Sequence, residues 1–281
     1  MNTSRTNFNM PLDHQVKITP YWLLGLLEGE GSFYLNRNPI RPGFQILLTA
    51  TQLPLLNKIK EYLENNLGFD NYSKWKINNS SAMSISSKKS VGDSKPTVTF
   101  DIRNVRILHN FFIPYLNKLN FLSKKYLDFS DFQIICQTVY NGAHKNSIIK
   151  ELMVKLSLSM NDFRLSNYKG KIPKQIITQN DINMLKNALP LSKHLWDGRV
   201  RDILTGKIDY NNESSVYSIL NPNNEELIVK SLKEAADIVG VNDSTLSKRL
   251  DTESTDFIAE VNHHFIKRIG VFYKSKETDL K

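Results

Sequence analysis

The sequence predicts an α+β fold in which helices alternate with β-hairpins, followed by a small module of one β-hairpin and a helix-turn-helix. The hydrophobic spacing changes several times between a helical period and the alternation of half-buried strands, and glycine or proline separates the segments. With 281 residues, of which 40% are hydrophobic, the chain can bury a substantial core. A globular protein is therefore expected, and disorder of the whole chain is not.

Residues 15–165 are predicted to form the α+β unit. Thr19 is placed to cap the first helix, with Pro20 at the first helical position, a combination that favours helix initiation. The predicted elements are a helix ending at Gly29 and Gly31, strands over 32–36 and 44–51 joined by a turn at 39–43, a helix over 53–67 ended by Gly68, strands over 72–78 and 97–103 separated by a loop over 80–95, and helices over 104–119, 124–140 and 148–159.

The rest of the chain is predicted to contain a linker and a separate module. Residues 166–212 are basic and interrupted by proline and glycine, which predicts a linker with short helices. Within residues 213–281, a hairpin is predicted around Asn221-Pro222-Asn223-Asn224, and Ser231 is placed to cap a helix that Gly240 ends. A second helix over 243–250 completes a helix-turn-helix pattern.

Charge and cysteine content narrow the functional classes. The formal net charge is +9, which favours a polyanionic partner such as nucleic acid. Residues 1–110 carry 13 basic and 8 acidic side chains, residues 111–209 carry 15 and 8, and residues 210–281 carry 9 and 12. A single cysteine excludes an internal disulfide framework. Since no apolar run approaches about 18 residues, no membrane partner is expected.

Two carboxylates lie at the end of the first helix, where negative charge is unfavourable. Glu28 and Glu30 follow an apolar run, and the helix dipole disfavours an exposed acid at a C-terminus by about 0.3–1 kcal/mol. A bound Mg²⁺ would offset that cost, because hard cations prefer oxygen ligands. Gly25 and Gly29 lie on one face, where another helix can approach closely. The alternative interpretation is a core helix that ends in two solvated acids.

The segment Leu23 to Gly31, which reads LLGLLEGEG, resembles the signature of the LAGLIDADG homing endonucleases. The resemblance covers about residues 15–165 and implies an αββαββα fold with a saddle-shaped antiparallel sheet over DNA. It implies that Glu30 binds catalytic Mg²⁺ or Mn²⁺ and that Glu28 supports the helix end. The sequence departs from the consensus at Leu24, at Gly29 and in having Glu in place of Asp at both acidic positions.

The resemblance also implies an assembly, because the family packs two motif helices at a two-fold axis. We find one copy of the motif in this chain, so a homodimer is expected to complete the active site. The interface helix is then expected to contribute Gly25, Leu26, Glu28 and Gly29.

Two further catalytic residues are implied by position within the resemblance. Gln52 follows the second strand, where the family places a polar residue that orients water, and Lys125 opens a helix, where it places a basic residue near the scissile phosphate. The alternatives are an ordinary amide at a strand end and a solvated lysine at a helix start.

The predicted DNA contacts lie on the hairpins and on the last helix. A two-stranded ribbon fits the major groove, where Arg, Lys and Gln read base edges, and the expected contacts there are Arg37, Arg41, Gln45 and Lys76. The C-terminal module resembles the NUMOD-type modules appended to homing nucleases, which implies DNA contacts from Ser244, Thr245, Lys248 and Arg249. A packing module without DNA contact is the alternative.

The resemblance therefore implies an intron-encoded endonuclease that makes a metal-dependent, site-specific double-strand break in DNA. Two alternatives remain: an RNA maturase that binds its intron RNA and assists splicing, and a catalytically inactive DNA-binding protein. The family and a composition typical of AT-rich genes indicate a mitochondrion, most often fungal, with a chloroplast as the second choice.

Overall fold

The computed structural model describes residues 17–68, 83–90, 92, 94–161, 177–195, 200–209, 213–250 and 258–273. The first unit has the predicted order of helices and antiparallel strands, and its sheet order is β1-β2-β4-β3. Its elements are α1 (Pro20–Glu30), β1 (Gly31–Arg37), β2 (Ile40–Thr49), α2 (Leu53–Asn66), β3 (Met83–Lys88), β4 (Thr97–Ile102), the helical stretch α3 (Val105–Ile107, a π turn Leu108–Phe112 and Ile113–Leu116), α4 (Lys125–Tyr140) and α5 (Ser147–Leu158).

One face of this sheet packs on the helices through a cluster of aromatic rings. Phe33 on β1 lies 4.9 Å from Phe132 of α4, measured between ring centroids, and Phe44 on β2 lies 4.8 Å from Phe112 of α3. Leu23 and Leu27 bury the inner side of α1 in the same core. Because side chains alternate along a strand, the opposite face of the sheet is turned away from the helices. No described helix is long and apolar enough to span a membrane.

The turn predicted at 39–43 is wrong, because the first hairpin turns more tightly. Arg37 pairs directly with Ile40, which leaves only Asn38 and Pro39 between the strands. Gly43, predicted to be in the turn, lies inside β2. An added Cβ at Gly43 would come within 2.3 Å of the Tyr34 ring, so the glycine makes room for a cross-strand aromatic side chain.

The loop predicted over 80–95 is also wrong, because β3 lies within it. Its serines and lysines favour a loop, but Met83 and Ile85 pair with Ile102 and Phe100 of β4 and turn toward the core. Tertiary pairing therefore overrides the local composition. The strand predicted over 72–78, which includes Lys76, lies outside the described residues.

Residues 177–195 and 200–209 contain more secondary structure than the predicted linker with short helices. They form α6 (Gln179–Lys186) and a three-stranded sheet of β5 (Ser192–His194), β6 (Val200–Asp202) and β7 (Ile208–Asp209). Leu185 is buried in the main core, and Lys155 of α5 donates to Asp181 at 2.8 Å. The His194 ring stacks on Tyr140, the last residue of α4, with 3.7 Å between centroids. This segment is therefore packed against the first unit.

The C-terminal module has its own core, and its predicted hairpin and two helices are confirmed. Gly240 adopts φ +70° between the helices, a left-handed conformation that glycine tolerates. Residues 258–273 add two strands that the sequence did not predict, giving the sheet order β10-β11-β8-β9. The elements are β8 (Glu213–Leu220), β9 (Glu226–Val229), α7 (Leu232–Val239), α8 (Asp243–Leu250), β10 (Ala259–Val261) and β11 (His264–Tyr273).

Candidate active site and nucleic-acid-binding surface

Helix α1 presents an open glycine face at the edge of the first unit. Thr19 accepts a hydrogen bond from the Trp22 amide at 3.2 Å, as its N-cap position predicts. Gly25 and Gly29 are exposed, and no described atom outside the helix lies within 4 Å of where their Cβ atoms would be. Leu26 is half-buried beside them. A second helix can therefore approach this face without a steric barrier.

Glu28 links the end of α1 to the start of α4. Its carboxylate accepts hydrogen bonds from the backbone amides of Leu122 and Ser123, both at 2.8 Å, and from the Ser123 hydroxyl at 2.9 Å. These donors lie just before α4, where unpaired amides and the helix dipole favour a carboxylate. Glu28 thus connects the end of α1 to the residues that precede α4, which agrees with the supporting role expected for it.

Lys125 lies beside the acidic helix end, as the resemblance implies. It is the first residue of α4, its exposed fraction is 7%, and its Nζ donates to the Gly31 carbonyl at 2.8 Å. That carbonyl belongs to the residue after Glu30. Lys124, in contrast, is exposed. The alternative of a solvated lysine is therefore wrong for Lys125, although its chemical role stays a prediction.

Glu30 is exposed at the C-terminal end of α1, and no described residue donates a hydrogen bond to its carboxylate. Free carboxylate oxygens at the negative end of a helix dipole suit a divalent cation. Across the described residues, no group of three His, Cys, Asp or Glu side chains is placed to hold a metal. A metal held by Glu30 would need ligands other than a cluster of such side chains in the described residues.

Gln52 lies in a short 3-10 turn, Ala50–Gln52, between β2 and α2. The strand predicted to run to residue 51 ends at Thr49, where the Thr49 and Thr51 hydroxyls hydrogen bond at 3.1 Å. Gln52 is exposed and precedes the first residue of α2. Its expected contact with water at the reaction centre stays a prediction.

The strand register sorts the predicted hairpin contacts between the two faces of the sheet. Gln45 and Arg41 alternate with the buried Phe44 and Ile46, so they lie on the outer face, away from the helices. Arg37 pairs with Ile40 and has the opposite alternation, although it is exposed at the strand end. Two of the three described hairpin contacts thus share the outer face.

The outer face also carries a polar cluster that sequence reasoning missed. Asp101 of β4 accepts hydrogen bonds from the Tyr34 hydroxyl at 3.2 Å and from Arg103 Nη2 at 2.8 Å. Burial raises the pKa of Tyr34, and the negative charge of Asp101 raises it further. The Asp-x-Arg spacing, which places both side chains on one face of a strand, was a usable signal.

On the C-terminal module, α8 turns its polar side outward. Leu246 and Leu250 are buried against the module, whereas Ser244, Thr245 and Lys248 are exposed. Arg249 is exposed too, but its Nη1 donates to the Glu260 carbonyl at 3.3 Å, so part of its hydrogen-bonding capacity is used within the module. The predicted contact residues thus share a helix that is accessible to a ligand.

Comparison with protein families finds a match within the first unit. A family model described as LAGLIDADG endonuclease matches residues 23–136. An uncharacterized mitochondrial protein, RF1, of Saccharomyces cerevisiae is 26% identical over 61% of this chain and 36% of its own length. A probable intron-encoded endonuclease 2 of Neurospora crassa is 25% identical over 62% of this chain and 37% of its own length. The chain thus spans little more than a third of either relative.

One of the solved structures that are similar is that of a homing endonuclease, I-TnaI. It is 19% identical in sequence and has a TM-score of 0.40. The match covers 52% of this chain and 90% of that chain.

Proposed function

We propose that this protein is an intron-encoded homing endonuclease that cuts double-stranded DNA at a specific site, on the premise that a LAGLIDADG endonuclease family model matches residues 23–136. The observation that carries the proposal is the juxtaposition at the end of α1. There Glu30 is exposed, and the carbonyl of the next residue, Gly31, accepts a hydrogen bond from Lys125 Nζ at 2.8 Å. The names of relatives in Neurospora crassa and Schizosaccharomyces pombe, both probable intron-encoded endonucleases, support the same activity.

The active site is completed by a second copy of the chain. The open face at Gly25 and Gly29 accepts α1 of the partner, and Leu26 packs beside it. This crossing brings two Glu30 carboxylates together. Since like charges in close proximity repel, the pair favours a bound cation between them. In the proposed homodimer, each copy of the chain supplies one Glu30 carboxylate to the shared site.

Glu30 would hold Mg²⁺, or Mn²⁺ in its place, through its carboxylate oxygens. When bound there, the metal would supply an activated water and would offset negative charge on the departing oxygen. Lys125 keeps a positive charge beside the scissile phosphate and stabilises the negative charge that develops on it. Glu28 fixes the start of α4 and thereby the position of Lys125. Gln52 orients water and need not titrate.

DNA binding uses two surfaces of the chain. Arg41 and Gln45 on the outer face of the sheet contact the major groove, together with Arg37 at the strand end and Lys76. The C-terminal module, residues 213–281, binds through α8 as a NUMOD-like module. Residues 15–165 form the endonuclease domain, and residues 166–212 connect it to that module. The mitochondrial and fungal relatives support residence in a fungal mitochondrion.

Two assays on the full-length protein test this function. Cleavage is measured with Mg²⁺ on duplex DNA that carries the intron-free insertion site, with EDTA and an intron-containing duplex as controls. Splicing of the intron RNA is measured in parallel. We expect Mg²⁺-dependent double-strand cleavage of the intron-free duplex only. Splicing without cleavage would identify a maturase, and specific binding without either reaction would identify an inactive DNA-binding protein.

A further inference from the structure

A carboxylate is buried on the face of the sheet that is proposed to meet DNA. Asp101 has an exposed fraction of 1%, although it lies on the side opposite the aromatic core. A buried carboxylate is costly unless it is paired and hydrogen bonded. On a surface that binds phosphate it would also repel the ligand. Its presence there therefore requires an explanation.

Two side chains, Arg103 and Tyr34, compensate for the burial of this carboxylate. Arg103, two residues along from Asp101, donates from Nη2 to Oδ2 at 2.8 Å. Tyr34 reaches from β1 across β2 and donates its hydroxyl to Oδ1 at 3.2 Å. The ring can cross β2 only because Gly43 has no side chain, as the 2.3 Å approach to an added Cβ demonstrates. Arg103, Tyr34 and Gly43 thus together accommodate the buried Asp101 carboxylate.

Asp101 and Tyr34 hold the Arg103 side chain in one orientation. The Arg103 side chain is 56% exposed, whereas that of Asp101 is 1% exposed, so the guanidinium forms the outer layer of the cluster. Arginine carries five N–H donors in a rigid fork. Asp101 accepts from Nη2 and the Tyr34 hydroxyl also contacts the guanidinium, and the remaining donors of the fork are left for a ligand. Gln45, which faces Asp101 in the strand register, lies beside it on the same face.

We propose that Arg103 reads one guanine in the major groove of the target DNA and that Asp101 and Tyr34 are positioning residues for it. The inference rests on the proposed DNA binding and adds a residue that determines specificity. Arginine donates two hydrogen bonds to O6 and N7 of guanine, the commonest specific contact in the major groove. Holding the fork in one orientation lowers the entropy lost on binding.

Contact between Arg103 and a guanine accounts for the buried Asp101 carboxylate better than contact between Arg103 and a phosphate. Asp101 cancels the charge of Arg103, so the pair adds little to the long-range attraction of the DNA backbone. What the pair retains is directional hydrogen bonding, which serves base recognition. A phosphate contact needs only a cation on a mobile side chain and does not require a buried carboxylate to hold it.

The test begins with selection of preferred duplexes from a randomised pool by the full-length wild-type protein. Dissociation constants are then measured for the selected duplex and for all its single base-pair substitutions. The variants are Arg103→Ala, Arg103→Lys and Tyr34→Phe. Lys58→Ala is the matched control, because Lys58 is an exposed cation on α2, which packs on the inner face of the sheet.

We expect the wild-type protein to prefer G at one position by about 5- to 100-fold, as one bidentate contact provides. Arg103→Ala and Arg103→Lys should both lose that preference and keep the others, since lysine retains the charge but not the fork. Tyr34→Phe should still prefer G at that position, but by a smaller factor than the wild-type protein. Lys58→Ala should match the wild type.

A uniform loss of affinity for every duplex in Arg103→Ala would overturn the inference, because it would identify a phosphate contact. Unchanged base preferences in both Arg103 variants would overturn it as well. Either result leaves the proposed endonuclease intact, since the wild-type protein would still select a duplex. Failure of the wild-type protein to select any duplex would refute the proposed function and the inference together.

Discussion

The first unit and the C-terminal module differ in how their candidate sites are assembled. In the first unit, Glu28 accepts hydrogen bonds from Ser123, which lies 95 positions away in sequence, and Lys125 donates to Gly31, 94 positions away. In the module, Ser231 caps α7 through an amide three residues away, and Gly240 turns the chain between the helices. The proposed catalytic site therefore depends on long-range contacts, whereas the candidate recognition helix depends on local ones.

The largest effect is expected at Glu30. Glu30→Gln keeps the shape of the side chain but removes its charge, and it should lower Mg²⁺-dependent cleavage by about 100-fold or more. The dissociation constant for DNA should change by less than about two-fold, because few phosphate contacts are altered. Single-turnover cleavage and binding assays measure the two quantities.

The control for this substitution is Glu61→Gln, at an exposed acid on α2. It should cleave at the wild-type rate. Undiminished cleavage by Glu30→Gln would show that Glu30 has no role in the mechanism. The first unit would then have no demonstrated catalytic role that distinguishes it from the C-terminal module.

An intermediate effect is expected from α8. Combining Ser244→Ala with Lys248→Ala removes one hydroxyl and one charge from its exposed side, and should weaken DNA binding by about ten-fold while leaving the cleavage rate of saturated complex unchanged. Footprinting should show a shorter protected region on the side of the module.

Lys233→Ala on α7 provides the matched control, since Lys233 is exposed on the other helix of the module. It should retain the wild-type footprint. If the α8 variant also kept the wild-type affinity and footprint, the module would be a packing element and DNA recognition would belong to the first unit alone.

The smallest effects are expected from two substitutions that remove, respectively, a long-range and a local hydrogen-bond acceptor. Glu28→Ala removes the acceptor for three hydrogen bonds and should lower the free energy of unfolding by about 1–2 kcal/mol. Ser231→Ala removes one cap and should cost about 1 kcal/mol. Only Glu28→Ala should also slow cleavage, by several-fold, because Lys125 loses its fixed position. Urea denaturation and single-turnover rates provide the measurements, and equal cleavage rates in the two variants would contradict this distinction.

Local signals in the sequence were sufficient for much of the fold. Thr19, Pro20 and Gly68 marked helix ends, and the hairpin and two helices of the C-terminal module were predicted from capping and turn residues. Strand β3 was missed because Ser and Lys dominate it, and only its pairing with β4 turns Met83 into a core residue. Strands β10 and β11 were missed for a similar reason, since they are completed by β8.

The candidate site was predictable only in part. The resemblance of the motif indicated Glu30 and Lys125, and the structure places Lys125 at the end of α1. The cluster of Tyr34, Asp101 and Arg103 could not be assembled from sequence, because it requires the register of β1, β2 and β4. Gly43 was interpreted as a turn residue for the same reason: its cross-strand neighbour was unknown.

The stacking of His194 on Tyr140 has a consequence for protein engineering. Because this ring contact, Leu185 and the hydrogen bond from Lys155 to Asp181 attach residues 177–195 to the first unit, a chain truncated near residue 165 would expose apolar surface and lose these stabilising contacts. Chimeric proteins that exchange the C-terminal module should therefore be joined after residue 209.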